Sequence, residues 1–359
     1  MSRNFFNILF PTPKFLTVPS FGLDISDESI KYTELISSSK GLKLGRYGEC
    51  QIPLGVIESG KITNLPKMEE ILTSLRKEKK IKSVRVSLPE EQVYLFEFRL
   101  EKSGLENIRE SIELSLEEHI PIPAQDAIFD YEILSEDERS FNIQVSAIPK
   151  NIIDEYLSIF KNSGIGVRSF ELEAQAISRA VVGKNDEDTY MIVDFGKKRT
   201  GIFIVSRGIV MFTSTLDVGG SSLTSMIQKS FKISFEEAEK MKKKYGLERN
   251  SGNEELFSVL LNSISILRDE IVKHFIYWHT HKDGDKDRPL IKKIILCGGD
   301  ANLIGLAEYF SVSTKNTIEM ANVWVNIMNT EKYIPEINFE QSLTYAAALG
   351  LALGNFEND

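Results

Sequence analysis

One short pattern, present twice, constrains the fold more than any other feature. Gly22-Leu23-Asp24-Ile25-Ser26 runs on to Ser29, and Ile192-Val193-Asp194-Phe195-Gly196 runs on to Thr200. Each copy is an apolar strand ending in aspartate, then a tight turn, a hydroxyl residue and a second strand. Two such copies call for two α/β halves, each opening on a strand–turn–strand. Set face to face, the turns suit a polyphosphate, because backbone N–H groups in such turns bind phosphate oxygens. Asp24 and Asp194 would then face a hydrated Mg²⁺, which takes few protein ligands and keeps its waters. A third element, Cys297-Gly298-Gly299, sits between a buried strand and a helix, where bare backbone lets a nucleotide approach closely. Singly these signals are weak, since an aspartate at a strand end is commonly a turn former and Gly-Gly commonly a turn. Their order along the chain carries the argument.

The rest of the chain fits two such halves. Strand patterns at Phe21–Leu23 and Ser29–Ile36 precede a helix at Lys67–Lys79, where Met68, Ile71, Leu72 and Leu75 recur at helical spacing. Strands at Ser83–Leu88 and Tyr94–Leu100, a helix over 104–118 closed by Ile120–Pro123, and two strands around the acidic turn Ser135–Ser140 follow. A helix at Asn151–Lys161 then stops at Ser163-Gly164, a glycine stop. The stretch from 91 to about 166 thus reads strand, helix, strand, strand, helix: a self-contained α+β insert. The second half opens at Thr189 with three strands, continues in helices at 221–230, 234–245 and 253–281, and crosses the polar loop Asp283–Arg288. It closes with the strand Lys292–Cys297, a helix at Leu303–Phe310 and a small-residue helix ending the chain.

Composition removes several function classes. Forty-three Lys and Arg against 52 Asp and Glu, net charge −9 over 359 residues, argue against a non-specific nucleic-acid binder, which needs a basic face. Two cysteines and four histidines support neither a disulfide framework nor a zinc cage, and the chain reads as cytosolic. No apolar run approaches the roughly 18 residues of a membrane span. Residues 1–19 are apolar but broken by Pro11, Pro13 and Pro19, and lack a signal-peptide cleavage site. Two readings of this arm stay open: an extended segment packed on the first domain, or a docking peptide for a partner or a membrane surface.

With these motifs in place, the sequence resembles the actin-like ATPase family, and within it the type IV pilus assembly PilM family, a relative of FtsA. Gly22–Leu35 is similar to the first phosphate motif, Val193–Val205 to the second, and Ile295–Leu306 to the adenosine motif. Val218–Thr224 and Phe235–Gly246 fall where the family has its Gly-Gly turn and Glu-Glu-Ala-Glu helix. Leu114–Leu134, with Ile120-Pro121-Ile122-Pro123, is the most PilM-like stretch. The resemblance implies an α/β actin-like ATPase fold, two lobes around a nucleotide cleft with an FtsA-type inserted α+β subdomain. Its boundaries would be an arm at 1–19, a first lobe at 20–90 and 167–187, a partner-binding insert at 91–166, a second lobe at 188–225 and 289–359, and a helical subdomain at 226–288. Carried over residue by residue, Asp24 and Asp194 would face Mg²⁺ through water, and Ser26, Ser29, Lys31, Gly196, Lys197 and Thr200 the phosphates. Gly219 and Gly220, Glu239 and Lys242 would stand near the nucleotide, the last two at the ribose, and Gly298 and Gly299 at the adenine.

The same resemblance implies ATP with Mg²⁺ as cofactor, hydrolysed slowly or not at all, since no catalytic base stands out. It implies binding of the N-terminal tail of PilN at the cytoplasmic side of the inner membrane, beside other pilus platform proteins and motor ATPases, with self-association open. Phe6–Pro11 is itself similar to that partner motif with one residue inserted. The alternatives are a nucleotide-free scaffold of a pilus or type II secretion platform, an actin-fold sugar kinase, or an FtsA-like division protein. One departure separates them: the first turn carries Asp27-Glu28 and the second Lys197-Lys198-Arg199. The cations bind phosphate while Asp27 and Glu28 face solvent, or the two turns pair across the cleft, or both runs lie on the surface.

Overall fold

The two aspartate-bearing segments each found a five-stranded sheet, and the sheets are built alike. We describe residues 20–38, 41–102, 107–249, 252–281, 288–328 and 333–356 in a computed structural model; the arm at 1–19 and nearly all of the loop Asp283–Arg288 lie outside the described residues. In the first lobe, β1 (Phe21–Ile25), β2 (Ser29–Ser38) and β3 (Gly41–Gln51) form an antiparallel meander. A short hairpin, β4 (Ile57–Glu58) and β5 (Lys61–Ile62), and helix α1 (Leu65–Lys79) lead to β6 (Ser83–Leu88), which lies parallel to β1. The strand β10 (Gly166–Leu172) completes the order β10-β6-β1-β2-β3.

In the second lobe β11 (Thr189–Phe195), β12 (Thr200–Ser206) and β13 (Ile209–Leu216) repeat the meander. Next, β14 (Ile291–Cys297) lies parallel to β11, with β15 (Ile318–Met320) outside it. Strand order and direction match the first lobe position by position. The central strands, buried on both faces, are near-continuous apolar runs, as covered parallel sheets require.

Between the halves of the first lobe, β7 (Tyr94–Glu101), α2 (Ile108–His119), β8 (Ala127–Glu136) and β9 (Ser140–Pro149) form a separate three-stranded antiparallel sheet, order β7-β9-β8. Ile112 and Leu116 of α2 pack there against Phe129, Ile143 and Val145, a core distinct from the others. The next helix, α3 (Lys150–Ser163), is capped by Gly164 in the left-handed region at φ 70°. Placed with the insert by the sequence, α3 packs on the first lobe instead. Its stripe of Ile152, Tyr156, Ile159 and Phe160 shares a core with Met68 and Leu72 of α1. Similarly, α5 (Gly220–Phe231), α6 (Phe235–Tyr245) and α7 (Glu254–Thr280) share one core with the second sheet, Leu223, Ile227, Leu260 and Leu267 meeting Met191, Val193 and Ile202. Among the described residues the helical stretch 226–288 has no separate core. After β14, the helix expected from Leu303 starts one turn later, as α8 (Leu306–Thr314).

Two small-residue helices join the lobes. The chain's last helical stretch divides into α9 (Phe339–Ser342), a 3₁₀ turn at Leu343–Tyr345 and α10 (Ala346–Leu353). The last of these is buried along its length and crosses α4 (Glu173–Val181). A Cβ on Gly350 would stand 1.7 Å from the Ala176 carbonyl oxygen, and one on Gly22 of β1 would stand 1.9 Å from that of Ala348. No rotamer relieves a clash with backbone. Gly350→Ala should therefore cost at least the upper end of a typical overpacking penalty, about 3 kcal/mol of stability, read as a lower urea midpoint. A midpoint equal to that of the unsubstituted chain would contradict this crossing.

Candidate functional site

Both lobes turn their duplicated hairpins toward a shared cleft of about 460 Å³, within the range of small-molecule sites. The turns are closed identically: the Ser26 N–H donates to the Ser29 carbonyl at 2.9 Å, and the Gly196 N–H to the Arg199 carbonyl at 3.0 Å. Among the described residues, the tip amides of Asp27, Glu28, Lys197 and Lys198 take no acceptor. The Ser26 hydroxyl is used within its own turn, donating to the Ser29 carbonyl at 3.0 Å and accepting the Ser29 N–H at 3.2 Å. Behind the second turn, the Gly220 and Ser221 amides donate to the Gly196 and Lys197 carbonyls at 3.0 and 2.8 Å. Gly219 abuts the same turn, where a Cβ would come within 2.5 Å of Lys198 backbone.

The floor of the cleft is acidic. Asp24 accepts a hydrogen bond from the Ser87 hydroxyl at 2.9 Å, and that hydroxyl accepts the Ile25 N–H at 3.1 Å. Asp194 accepts from the Cys297 thiol at 3.6 Å. Glu90 follows the end of β6 and takes the Ala174 N–H at 3.3 Å, while Glu173 opens α4. Burial pushes the carboxyl of Asp24 up, that of Asp194 up to about 6 with help from the Asp24 charge, and that of Glu90 up to about 7. Glu173 is raised well above the usual range by burial and then by Asp24, Asp194 and Glu90. Lys31, opposite Asp24 in the β1–β2 register, is the cation that opposes the shifts of Asp24, Asp194 and Glu173, and its ammonium also donates to the Ser29 hydroxyl at 3.1 Å.

On the far wall, Gly298 lies at φ +89°, and a Cβ there would stand 2.5 Å from the Phe195 carbonyl and 2.6 Å from the Asp194 carboxylate. Leu343, Thr344, Ala346 and Ala347 continue this side past Gly299. At the mouth, the charged tips meet. Lys197 pairs with Glu28, Lys198 with Glu28 at 3.3 Å, and Arg199 with both Asp27 and Glu91.

Residues 22–356 match the family of the type IV pilus assembly protein PilM. The chain belongs to that family. The solved PilM–PilN type IV pilus biogenesis complex superposes with a TM-score of 0.79 at 18% identity, over 95% of this chain and 100% of that one. MreB5 of Spiroplasma citri bound to AMPPNP gives a TM-score of 0.56 at 16% identity, over 93% of this chain and 95% of that one. Among curated proteins, FtsA of Enterococcus faecalis is 24% identical over 214 residues, 53% of this chain and 49% of the FtsA chain. The chain spans about half the length of the curated relatives it matches. The fold is that of the actin-like ATPases.

Of the expected site residues in this PilM-family chain, Asp24, Ser26, Ser29, Lys31, Asp194, Gly196, Lys197, Glu239, Gly298 and Gly299 line the cleft. Four stand behind its wall. The Thr200 hydroxyl donates to the Val218 carbonyl at 2.6 Å, and the chain at Gly219-Gly220 braces the second turn from the rear. Lys242, 2% exposed, gives its ammonium to the Gly220 carbonyl at 3.0 Å, Asp300 at 2.7 Å and Glu239 at 2.9 Å. Its neighbour Lys243 faces the cleft. Glu90 and Glu173 were not found from the sequence although they carried a signal: they follow β6 and β10, successive parallel strands beside β1, and α/β sheets bind ligands beyond the carboxyl ends of such strands.

Two outcomes follow. Removing one partner from a buried charge network costs about 3–5 kcal/mol, so Lys242→Met should destabilise the chain by that order in urea titrations. Glu90 binds its proton more tightly folded than unfolded, so its stabilising contribution is complete below pH about 4.5 and is lost as pH rises to about 7. Glu90→Gln should consequently raise Tm above pH 7, by on the order of 3 kcal/mol of stability, and leave it unchanged near pH 4.5. A constant Tm difference at both pH values would rule this out.

Proposed function

We propose that this chain is a nucleotide-binding scaffold of a type IV pilus assembly platform, holding ATP with Mg²⁺ between its lobes. The observation that carries this reading is the pair of equivalent hairpin turns, with unsatisfied tip amides, facing each other over carboxylates on two central strands. Adenine would lie along Gly298 and Gly299, where missing side chains leave the wall bare, with Glu239 and Lys243 at the ribose.

The donor set suits magnesium held through water. Among the described residues no group of three or more His, Cys, Asp or Glu is arranged to hold a metal directly. Asp24 and Asp194 instead sit in a site with excess negative charge, which a hydrated divalent cation would offset. When bound, the cation would neutralise charge on the phosphates. The chain's own residues bind, orient and exclude water; Glu173 is the carboxylate placed to position a water. Burial, with the charges of Asp24, Asp194 and Glu90, raises its proton affinity well above the usual carboxylate range.

The insert is the proposed receptor for the N-terminal tail of PilN, supported by the PilM–PilN complex as structural neighbour and by the insert's own core and exposed Leu114, Ile128 and Ile133. Among the described residues no helix is long and apolar enough to cross a membrane, so placement at the inner membrane would come through such partners, alongside platform proteins and motor ATPases. A second reading, a nucleotide-free scaffold, is favoured by the ion pairs at the cleft mouth.

Calorimetric titration with Mg-ATP separates the two. Micromolar binding, lost at least about a hundredfold in Asp194→Ala, is the expected result; the exponent corresponds to about 2.7 kcal/mol. No heat and no thermal stabilisation at millimolar ATP would leave the scaffold reading alone.

A further inference from the structure

The opposite charges of the two turn tips, Asp27-Glu28 and Lys197-Lys198-Arg199, stand on otherwise equivalent hairpins, and three features make them more than neighbouring surface charge. Both tips are anchored, the first through the Asp27 carboxylate and the second through backbone, so the side chains can exchange partners without the turns moving. Asp27 accepts the Ser59 and Gly60 N–H groups at 3.2 and 3.1 Å, which fixes it against the β4–β5 hairpin. The cationic turn is pinned from behind by the α5 amides and by Gly219. Second, the carboxylates are sheltered: Asp27 and Glu28 are each 15% exposed, while Lys197 and Lys198 are 60% and 45% exposed. Burial raises the Glu28 carboxyl, and the two lysines outweigh it and hold it below its usual value. Third, Arg199 also meets Glu91, in the 3₁₀ turn Glu90–Gln92 from which the chain enters β7 and the insert. Gln92 in the same turn donates to the Ser59 carbonyl at 3.0 Å, returning to the hairpin that holds Asp27.

We propose that these six side chains form an electrostatic latch that holds the two lobes and the root of the insert together, and that a nucleoside polyphosphate opens it by drawing Lys197, Lys198 and Arg199 onto its own oxygens. The ligand step rests on the nucleotide reading above; the latch itself does not. Because the lysine ends of the pairs are exposed, salt screens them and the latch loosens as ionic strength rises. Opening frees Glu91, so the state of the cleft reaches the insert through one turn of chain. Two like-sized charge sets in direct competition also make the closed state a brake on ligand binding: phosphates must displace Asp27 and Glu28 before they gain the cations.

The latch is tested first without nucleotide, by the spin-label distance between Lys77→Cys on α1 and Lys244→Cys on α6 in a Cys50→Ser background. The expected distance is shorter at low salt and lengthens in 0.5 M salt (a chosen condition, about 4 Å of Debye length), in Glu28→Lys and in Lys197→Glu/Lys198→Glu. It returns to the short value when all three substitutions are combined. That rescue separates a lost pair from a damaged fold. A distance indifferent to salt and to either reversal overturns the latch, whether or not ATP binds. Inorganic tripolyphosphate then tests the competition: Glu28→Gln should bind it about tenfold more tightly than the unsubstituted chain. Weaker or equal binding by Glu28→Gln overturns the proposed exchange, and a short distance that persists at saturating tripolyphosphate does so as well.

Discussion

The crossing of α4 and α10 is the constraint on which the cleft depends. Gly350 and Gly22 bring helix to helix and helix to strand at backbone contact, closer than any side chain permits. Ala346–Ala348 with Ala174 and Ala176 extend that contact, so the lobes are joined by a seam of small, buried residues. The seam is narrow and close-packed, and interiors of that density settle into discrete arrangements rather than deforming smoothly. Glu173 stands at the start of α4 and Ala346 at the start of α10, both on the cleft. The seam that positions the lobes thus also supplies part of the site, and a change of angle across it moves the floor and the wall at Gly298 and Gly299 together.

A second consequence comes from stacking strand ends in one place. Asp24, Glu90 and Glu173 all lie at the carboxyl ends of adjacent strands β1, β6 and β10, and Asp194 is the equivalent of Asp24 in the other lobe. Topology alone gathers four carboxyls in one cleft, with Lys31 opposing the shifts of Asp24, Asp194 and Glu173. Burial then lifts the proton affinity of all four, that of Asp194 to about 6 and that of Glu90 to about 7. Such an array costs stability in the unliganded chain and is offset by whatever positive charge enters. Charge gathered in a cleft at a cost in stability is the arrangement expected of a binding site.

Much of this was readable from residues. The paired Asp-turn-hydroxyl motifs located both hairpins, and apolar periodicity located α1, α3 and the central strands, because each signal is local and the packing that rewards it is on one face. What stayed hidden depended on long-range contact. Strand β3 carries Gly41, Gly45 and Gly48 and resembles a loop; Ile36 and Tyr32 of the neighbouring strand lie over Gly45 and Gly48, at 2.8 and 2.5 Å from where Cβ atoms would be. The seating of α3 on the first lobe was hidden because an amphipathic stripe names the buried face but not its partner. That Lys242 is buried while Lys243 faces the cleft was not readable: Lys240, Lys242, Lys243 and Lys244 are alike in sequence, and only the carbonyl of Gly220 and the carboxylate of Asp300 decide which one is buried.

The equivalence of the lobes gives the charged turns their meaning. Strand order, direction, turn length and the hydrogen bond closing each turn are the same in both halves, so the backbone provides no reason for the tips to differ. Opposite charge at the two tips is therefore a property of side chains laid on a common frame. In a symmetric cleft with neutral tips, separation of the lobes would be opposed chiefly by the hinge seam. With acid on one tip and base on the other, the mouth is drawn together from the side opposite the seam, and the cleft is held at both ends. Binding then has to be understood as an exchange of partners within a charged mouth rather than as entry into a vacant one.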